Sequence, residues 1–180
     1  DREAASVART AWERLHNPQH LIQAMSLYAA LQDWNSVAPL VDQIHTELPP
    51  EKLLQLKQDP SFYSLLGNFY QGSGQADKAR AAYAAGLKAF PESADMRQAS
   101  LWLAIDSNDA DSLKLLLQHN EAEWKLNPAL HDTLAAAYQA LSLPQVALSE
   151  YLHPHIDEHR GDFLWMMGYA DALDQNQQSD

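Results

Sequence analysis

The densest set of candidate metal ligands in this sequence lies in one short segment near its end. The segment contains His153, His155, Asp157, Glu158 and His159. His155 and His159 are four residues apart, so a helix would place both imidazoles on one face, where they could bind a zinc ion. Pro154 breaks the helical pattern just before that pair, however, and polar side chains are ordinary at the end of a helix. We therefore interpret the segment as a solvated helix end and predict no metal site.

Residue patterns for other chemistry are missing from the sequence. The glycine-rich loop Gly72-Ser73-Gly74 has neither the lysine that follows a phosphate-binding loop nor the strand that precedes one, so we interpret it as a turn between helices. Cysteine is absent, which excludes a thiolate nucleophile and a cysteine-based zinc site. No serine has a recognisable set of histidine and aspartate partners. We predict that the chain is not an enzyme and binds no cofactor.

The chain is strongly acidic. Its 180 residues include 24 Asp and Glu against 12 Lys and Arg, which gives a formal net charge of -12. This charge would repel the phosphate backbone of a nucleic acid and an anionic membrane surface. No apolar run reaches the roughly 20 residues that a transmembrane helix needs. We therefore expect cationic partners and no nucleic acid.

A period of about 34 residues organises the sequence. The stretch from Pro60 to Pro91 matches the spacing W-x2-L-G-x2-Y, A-x3-F, P of a helix-turn-helix repeat, with tyrosine rings in place of Trp and Phe. The matching residues are Tyr63, Leu66, Gly67, Tyr70, Ala79, Tyr83 and Pro91. By these residues the chain resembles the tetratricopeptide repeat (TPR) family. The resemblance implies an all-α, right-handed superhelical solenoid of antiparallel helix pairs that binds partners rather than catalysing a reaction.

The same period divides the rest of the chain into repeats. Counting forward from Pro60 places further repeat starts at Ala94 and Pro128. An earlier repeat starts at Pro18, and an insertion of about eight residues separates it from the repeat at Pro60. The predicted segments are 1–17, the second helix of a preceding repeat; 18–51, a repeat; 52–59, an inserted or extended helix; 60–93, a repeat; 94–127, a degenerate repeat; 128–161, a repeat; and 162–180, the first helix of a following repeat. Both ends are expected to cut through a longer array.

The resemblance also predicts a partner-binding groove, because the first helix of each TPR pair lines the concave face of the array. The residues at groove positions are Asn68, Asp95, Trp102, Asp106, Asp132, Asp171 and Asp174. We expect Trp102 to be exposed there, and Trp12, Trp34 and Trp124 to serve packing. The basic residues with which chaperone-binding repeats clamp a carboxylate are absent, so we do not expect that function. The alternative reading of the acidic positions is a solvated helix face without a ligand.

A second resemblance concerns residues 163–175, FLWMMGYADALDQ, which are similar to a repeat in the periplasmic TPR region of Pel-type bacterial exopolysaccharide export proteins. In such proteins the TPR region precedes an outer-membrane β-barrel, holds a polysaccharide-modifying enzyme and guides a cationic polysaccharide to the pore. The resemblance therefore implies a periplasmic portion of an outer-membrane protein, with a deacetylase or hydrolase as partner. The alternative is a general protein- or peptide-binding adaptor in the cytoplasm.

Overall fold

The computed structural model describes residues 2–176. Residue 1 and residues 177–180, the outermost parts of the first and last predicted segments, lie outside the described residues. Within 2–176 the chain is helical and has no strand, which confirms the predicted all-α class. The helices are α1 (Arg2–Leu15), α2 (Pro18–Ala30), α3 (Trp34–Thr46), α4 (Pro50–Leu56), α5 (Pro60–Gly72), α6 (Ala76–Ala89), α7 (Ala94–Asp106), α8 (Ala110–Trp124), α9 (His131–Ala140), α10 (Pro144–Val146) and α11 (Phe163–Gln175). They form two compact units that divide between Met96 and Arg97.

The turn between the two helices of a pair recurs with the predicted period. One residue in each turn has a positive φ, namely Gln32, Gly74, Asn108 and Ser142, with values of 53°, 73°, 53° and 58°. The last three residues are spaced by 34 positions, whereas the first two are spaced by 42, which reflects the insertion before Pro60. Such left-handed residues end many helices and let the next N–H bond back to the helix. The period read from the sequence is therefore present in the backbone.

Side-chain caps fix where the helices begin. Asn17 and Asp59 each accept a hydrogen bond from the N–H two residues further on, at 3.0 and 2.9 Å. Pro18 and Pro60 follow at the first helical position, where the missing N–H of proline costs no helical hydrogen bond. Asp109 caps α8 in a similar way, through the N–H three residues on. These caps are the reason that α2 and α5 begin at the residues from which the repeats were counted.

In the first unit, α5 and α6 approach closely at Gly67. A Cβ atom at Gly67 would lie 2.2 Å from the ring of Tyr83 on α6, and Tyr83 is buried. A second close approach joins α3 to α5, because a Cβ atom at Gly72 would lie 2.3 Å from the ring of the half-buried Trp34. The glycine of the repeat pattern thus lies where α5 and α6 approach closely, and the packing role expected for Trp34 is confirmed.

The insertion before Pro60 contains the short helix α4. Pro49 and Pro50 begin this helix, and α4 packs beside α2. Leu56 at its end is buried, whereas Leu54 is exposed. Leu56 thus anchors α4 to the first unit together with the half-buried Leu53, and Leu54 lies on the side open to solvent.

The second unit has one apolar core, to which α7, α8, α9 and α11 all contribute. After α10 the chain continues as a π-helical segment, Ala147–Leu152, and then as a 3-10 turn, His153–His155. Pro154 within that turn has no N–H to donate to a preceding carbonyl, so a regular α-helix cannot continue through it. Among residues 2–176, none of the helices combines the length and the apolar character that crossing a bilayer requires.

Candidate partner-binding surface

Trp102 lies on an exposed face of α7. Gln98 and Asp106, one turn before and one turn after it, share this face because an α-helix repeats every ~3.6 residues. Trp102 is 40% exposed, whereas Trp12 and Trp124 are 5% and 2% exposed and lie in the cores. The predicted difference between these tryptophans is confirmed. An indole held in place by a helix and open to solvent offers a large, rigid contact area to a partner.

Two hydrogen bonds join the first helices of the second unit. Gln98 Nε2 on α7 donates to Thr133 Oγ1 on α9 at 3.2 Å. Trp165 Nε1 on α11 donates to Asp132 Oδ1 on α9 at 2.9 Å. Helix α9 is therefore in contact with both α7 and α11, as expected for first helices that line one face. The exposed surface formed by Gln98, Trp102, Asp106 and Asp132 is called the α7/α9 surface below.

The acidic residues predicted for the groove are all exposed, but they do not all face the same way. Asp106 and Asp132 belong to the α7/α9 surface. Asp171 and Asp174 lie on α11. Asp174 follows Trp165 by about two and a half helical turns, so it lies on the opposite side of α11 from the ring that contacts α9. A binding role for Asp171 and Asp174 stays a prediction.

Trp165 is a contact residue of this surface that is missing from the predicted groove residues. It lies three periods after Tyr63, at the ring position of the repeat pattern, and this position is the signal that could have identified it. The indole stacks with His159 and with Tyr169, with an interplanar angle of 9° in each pair. With these two ring contacts and its N–H bonded to Asp132, Trp165 fixes α11 against α9.

The other two predicted groove residues, Asn68 and Asp95, belong to the first unit. Asp95 is exposed in the first turn of α7. Asn68 is exposed on α5, but its Oδ1 accepts a hydrogen bond from the hydroxyl of Tyr83 at 2.7 Å. Gln71 Oε1 lies 3.4 Å from the same hydroxyl. Asn68 therefore satisfies the hydroxyl of a buried tyrosine, a structural role that its groove position did not indicate.

Tyr83 makes the stability of the first unit sensitive to alkali. Burial raises the pKa of its phenol from 10.0 to about 12. A raised pKa stabilises the folded state below pH ~10, the pKa of an unfolded tyrosine, and this stabilisation is lost as the pH rises towards about 12. We expect the melting temperature of the wild type to fall more steeply between pH 9.5 and 11.5 than that of Tyr83→Phe. Equal slopes in calorimetry would contradict this assignment, whereas a lower melting temperature of Tyr83→Phe at neutral pH is expected from its lost hydrogen bond.

Two further tyrosines share one carboxylate in the second unit. The rings of Tyr138 and Tyr151 stack at 5.9 Å, and the hydroxyl of Tyr151 donates to Glu121 on α8. Burial, and after it the hydrogen bond and negative charge of Glu121, raise the pKa of both phenols. Both hydroxyls therefore stay protonated at neutral pH and cannot act as bases. The cluster joins α8, α9 and the π-helical segment.

The three histidines considered as metal ligands each pack against a ring on α9 or α11. The pairs are His153 with Tyr169, His155 with His131 and His159 with Trp165, at centroid distances of 5.4, 4.7 and 4.5 Å. The hydroxyl of Tyr169 also lies 2.8 Å from His153 Nδ1. In the described part of the chain, no three His, Asp or Glu side chains are grouped so that they could hold a metal ion. These histidines pack the helix end against its neighbours.

Comparison with known proteins gives one match. A family model described as Tetratricopeptide repeat matches residues 1–180. No curated protein and no solved structure matches the chain. The family match includes the unit that begins at Ala94, although its own residues fit the repeat pattern only in part.

Proposed function

The chain belongs to the tetratricopeptide repeat family, and we propose that it is a non-enzymatic scaffold that holds a protein partner on the α7/α9 surface. The family is one of protein-interaction scaffolds that are typically non-catalytic. The observation that supports the choice of surface is Trp102, a large ring that is 40% exposed on a helix whose neighbours are otherwise well packed. Exposed aromatic anchors of this kind are enriched among the residues that dominate binding energy.

The charge of the chain favours a cationic partner. Asp106 and Asp132 flank the region of Trp102, and the chain carries a formal net charge of -12. Opposite charges on a partner would speed its encounter with this surface and orient it. A guanidinium or ammonium group could also bind over the open indole ring. A partner with a basic patch around an apolar centre therefore suits the α7/α9 surface best.

We further propose that this scaffold works in exopolysaccharide secretion. The resemblance of residues 163–175 to Pel-type export proteins supports a place in the periplasmic portion of an outer-membrane protein. There it would hold a polysaccharide deacetylase or hydrolase and guide a cationic polysaccharide to the pore. The second candidate function is a general adaptor for proteins or peptides, which requires only the family membership and the exposed Trp102.

Binding of the partner enzyme tests the α7/α9 surface. With the purified deacetylase of the same secretion system as ligand, we expect Trp102→Ala to weaken binding about tenfold or more, because an aromatic anchor contributes ~1 to 2 kcal/mol or more. Phe163→Ala is the matched control, since Phe163 is an exposed aromatic on α11 that is 75% exposed and outside the α7/α9 surface. Its affinity should equal that of the wild type. Equal affinities of the two variants in calorimetric titration would remove Trp102 from the interface.

Binding of a cationic oligosaccharide tests the proposal that the scaffold guides a cationic polysaccharide. A fully deacetylated glucosamine oligomer should bind weakly and in a salt-sensitive way, because each solvated charge pair contributes only ~0 to 1 kcal/mol. We expect Asp106→Asn together with Asp132→Asn to reduce this binding severalfold, and Asp111→Asn on the second helix α8 to leave it unchanged. If the wild type showed no binding at low salt, the proposal of polysaccharide guidance would be wrong. That result would not affect the proposal that the chain holds a protein partner.

A further inference from the structure

A cavity in the first unit lies beside Trp12. Its volume is about 480 Å³, which is within the ~300 to 1,000 Å³ range of ligand pockets. The cavity is lined by Trp12, Glu13, His16, Gln43, Glu47, Leu48, Pro49 and Lys52. These residues come from α1 and the turn after it, from α3 and the segment that joins it to α4, and from the first turn of α4. The cavity therefore lies within one unit and does not include any residue of the α7/α9 surface.

The insertion contributes to one wall of this cavity. Pro49 immediately precedes α4, and Lys52 lies in its first turn. Pro49 closes the regular repeat at the proline position of the pattern, so Lys52 is the lining residue that the insertion adds. The insertion thus contributes to one wall of the cavity, and packing of Leu56 in the core keeps α4 in place.

The floor of the cavity is apolar. The indole N–H of Trp12 is already used, because it donates to Gln43 Oε1 at 3.0 Å. The indole therefore presents apolar carbon to the cavity, alongside Leu48 and Pro49. Such a lining favours an apolar group and gains little from a polar one, since burying an unpaired polar group is unfavourable.

The charged side chains of the lining are acidic in balance. Two carboxylates, Glu13 and Glu47, face one ammonium group, that of Lys52. Glu13 accepts a hydrogen bond from Arg9 Nε at 2.9 Å, which offsets its charge, so Glu47 is the lining carboxylate that can meet a basic group of a ligand. Together with the formal net charge of -12, this balance favours a positive charge beside the apolar group of a ligand.

From this lining we infer that the cavity at Trp12 is a second docking site, for a partner protein segment that presents a large apolar side chain next to an arginine or lysine. The apolar side chain enters between Trp12 and Pro49, and the basic group remains at the rim near Glu47. This mode of recognition uses an apolar anchor for affinity and a charge at the rim for orientation.

The indole N–H signal of Trp12 reports directly on this site. In a proton–nitrogen NMR spectrum of the chain, N-acetyl-phenylalanyl-arginine amide should shift the Trp12 signal in a saturable way and leave the Trp124 signal in place. N-acetyl-phenylalanyl-glutamate amide should bind at least threefold more weakly at low salt. Absence of any shift of the Trp12 signal with millimolar arginine peptide would overturn the inference. Equal affinity of the two peptides would overturn the claim that the ligand carries a basic group beside its apolar side chain.

Paired variants separate binding from folding. Lys52→Trp should fill the cavity and lower the affinity for the arginine peptide at least tenfold. Lys57→Trp makes the same change at an exposed position outside the cavity, and its affinity should equal that of the wild type. Glu47→Gln should remove the preference for arginine, and Glu51→Gln on the exposed side of α4 should keep it. Unchanged indole signals of the other tryptophans show that each variant is folded. Full binding by folded Lys52→Trp would overturn the site, and a failure here leaves the role of Trp102 unaffected.

Discussion

Gly67→Ala is expected to destabilise the first unit by about 1 to 3 kcal/mol, although alanine is the better helix former. The new Cβ atom would lie 2.2 Å from the ring of Tyr83, well inside van der Waals contact. The ring cannot swing aside freely, because Tyr83 is 1% exposed and its hydroxyl is bonded to Asn68. Relief therefore requires α5 and α6 to move apart. Gly67→Leu should cost more, because its larger side chain has no space at all.

Gly168→Ala is the matched control for this prediction. Gly168 is also in a helix interior, on α11, but a Cβ atom there meets nothing within 4 Å. Only the helix propensity should change, so the free energy of unfolding of this variant should rise by roughly 0.5 to 1 kcal/mol. Urea unfolding followed by circular dichroism measures both changes. Stabilisation of similar size in both variants would show that Tyr83 yields easily and that the two helices are not closely fitted at Gly67.

The helices and the close contact at Gly67 were predictable because they depend on local spacing. A ring, a small residue and a turn that recur with one period require the same helix pair each time, and the left-handed residues Gly74, Asn108 and Ser142 recur at that spacing of 34 residues. Burial followed the same pattern for Tyr63 and Tyr83.

The side-chain bonds of the candidate surface were not predictable in the same way. Asn68 occupies a groove position, yet its amide oxygen is bonded to Tyr83 on the paired helix. Asp132 was identified only as an acidic groove residue, but it also accepts the indole N–H of Trp165. A family position specifies the direction of a side chain and leaves its bonding partner open, because the partner depends on which long side chains the neighbouring helices happen to present.

The degenerate unit shows a further limit of the pattern. Arg97 occupies the position where the repeat pattern has a tryptophan ring, and arginine side chains are rarely buried unless they are paired. Arg97 is instead 4% exposed. Its guanidinium pairs with Glu123 and lies over the ring of Trp124, 5.9 Å from the centroid. The ring that this unit lacks on its first helix is thus supplied from the end of its second helix.

Trp124→Ala is therefore expected to cause the largest loss of stability in the second unit, about 3 to 5 kcal/mol. Trp124 is 2% exposed within the apolar core, so its removal leaves a cavity. The substitution also removes the ring beneath the buried guanidinium of Arg97, which would then keep its charge with fewer favourable contacts.

Trp102→Ala supplies the comparison, because it deletes the same side chain from a position that is 40% exposed. We expect it to cost about 2 kcal/mol, less than Trp124→Ala, because a large part of the ring already lies in solvent. Thermal unfolding of both variants, read together with the binding assay, separates the two roles: Trp124→Ala should lower the melting temperature strongly, and Trp102→Ala should lower affinity with a smaller change in melting temperature. If Trp102→Ala unfolded the second unit as readily as Trp124→Ala, Trp102 would be a core residue and the α7/α9 surface would lose its anchor.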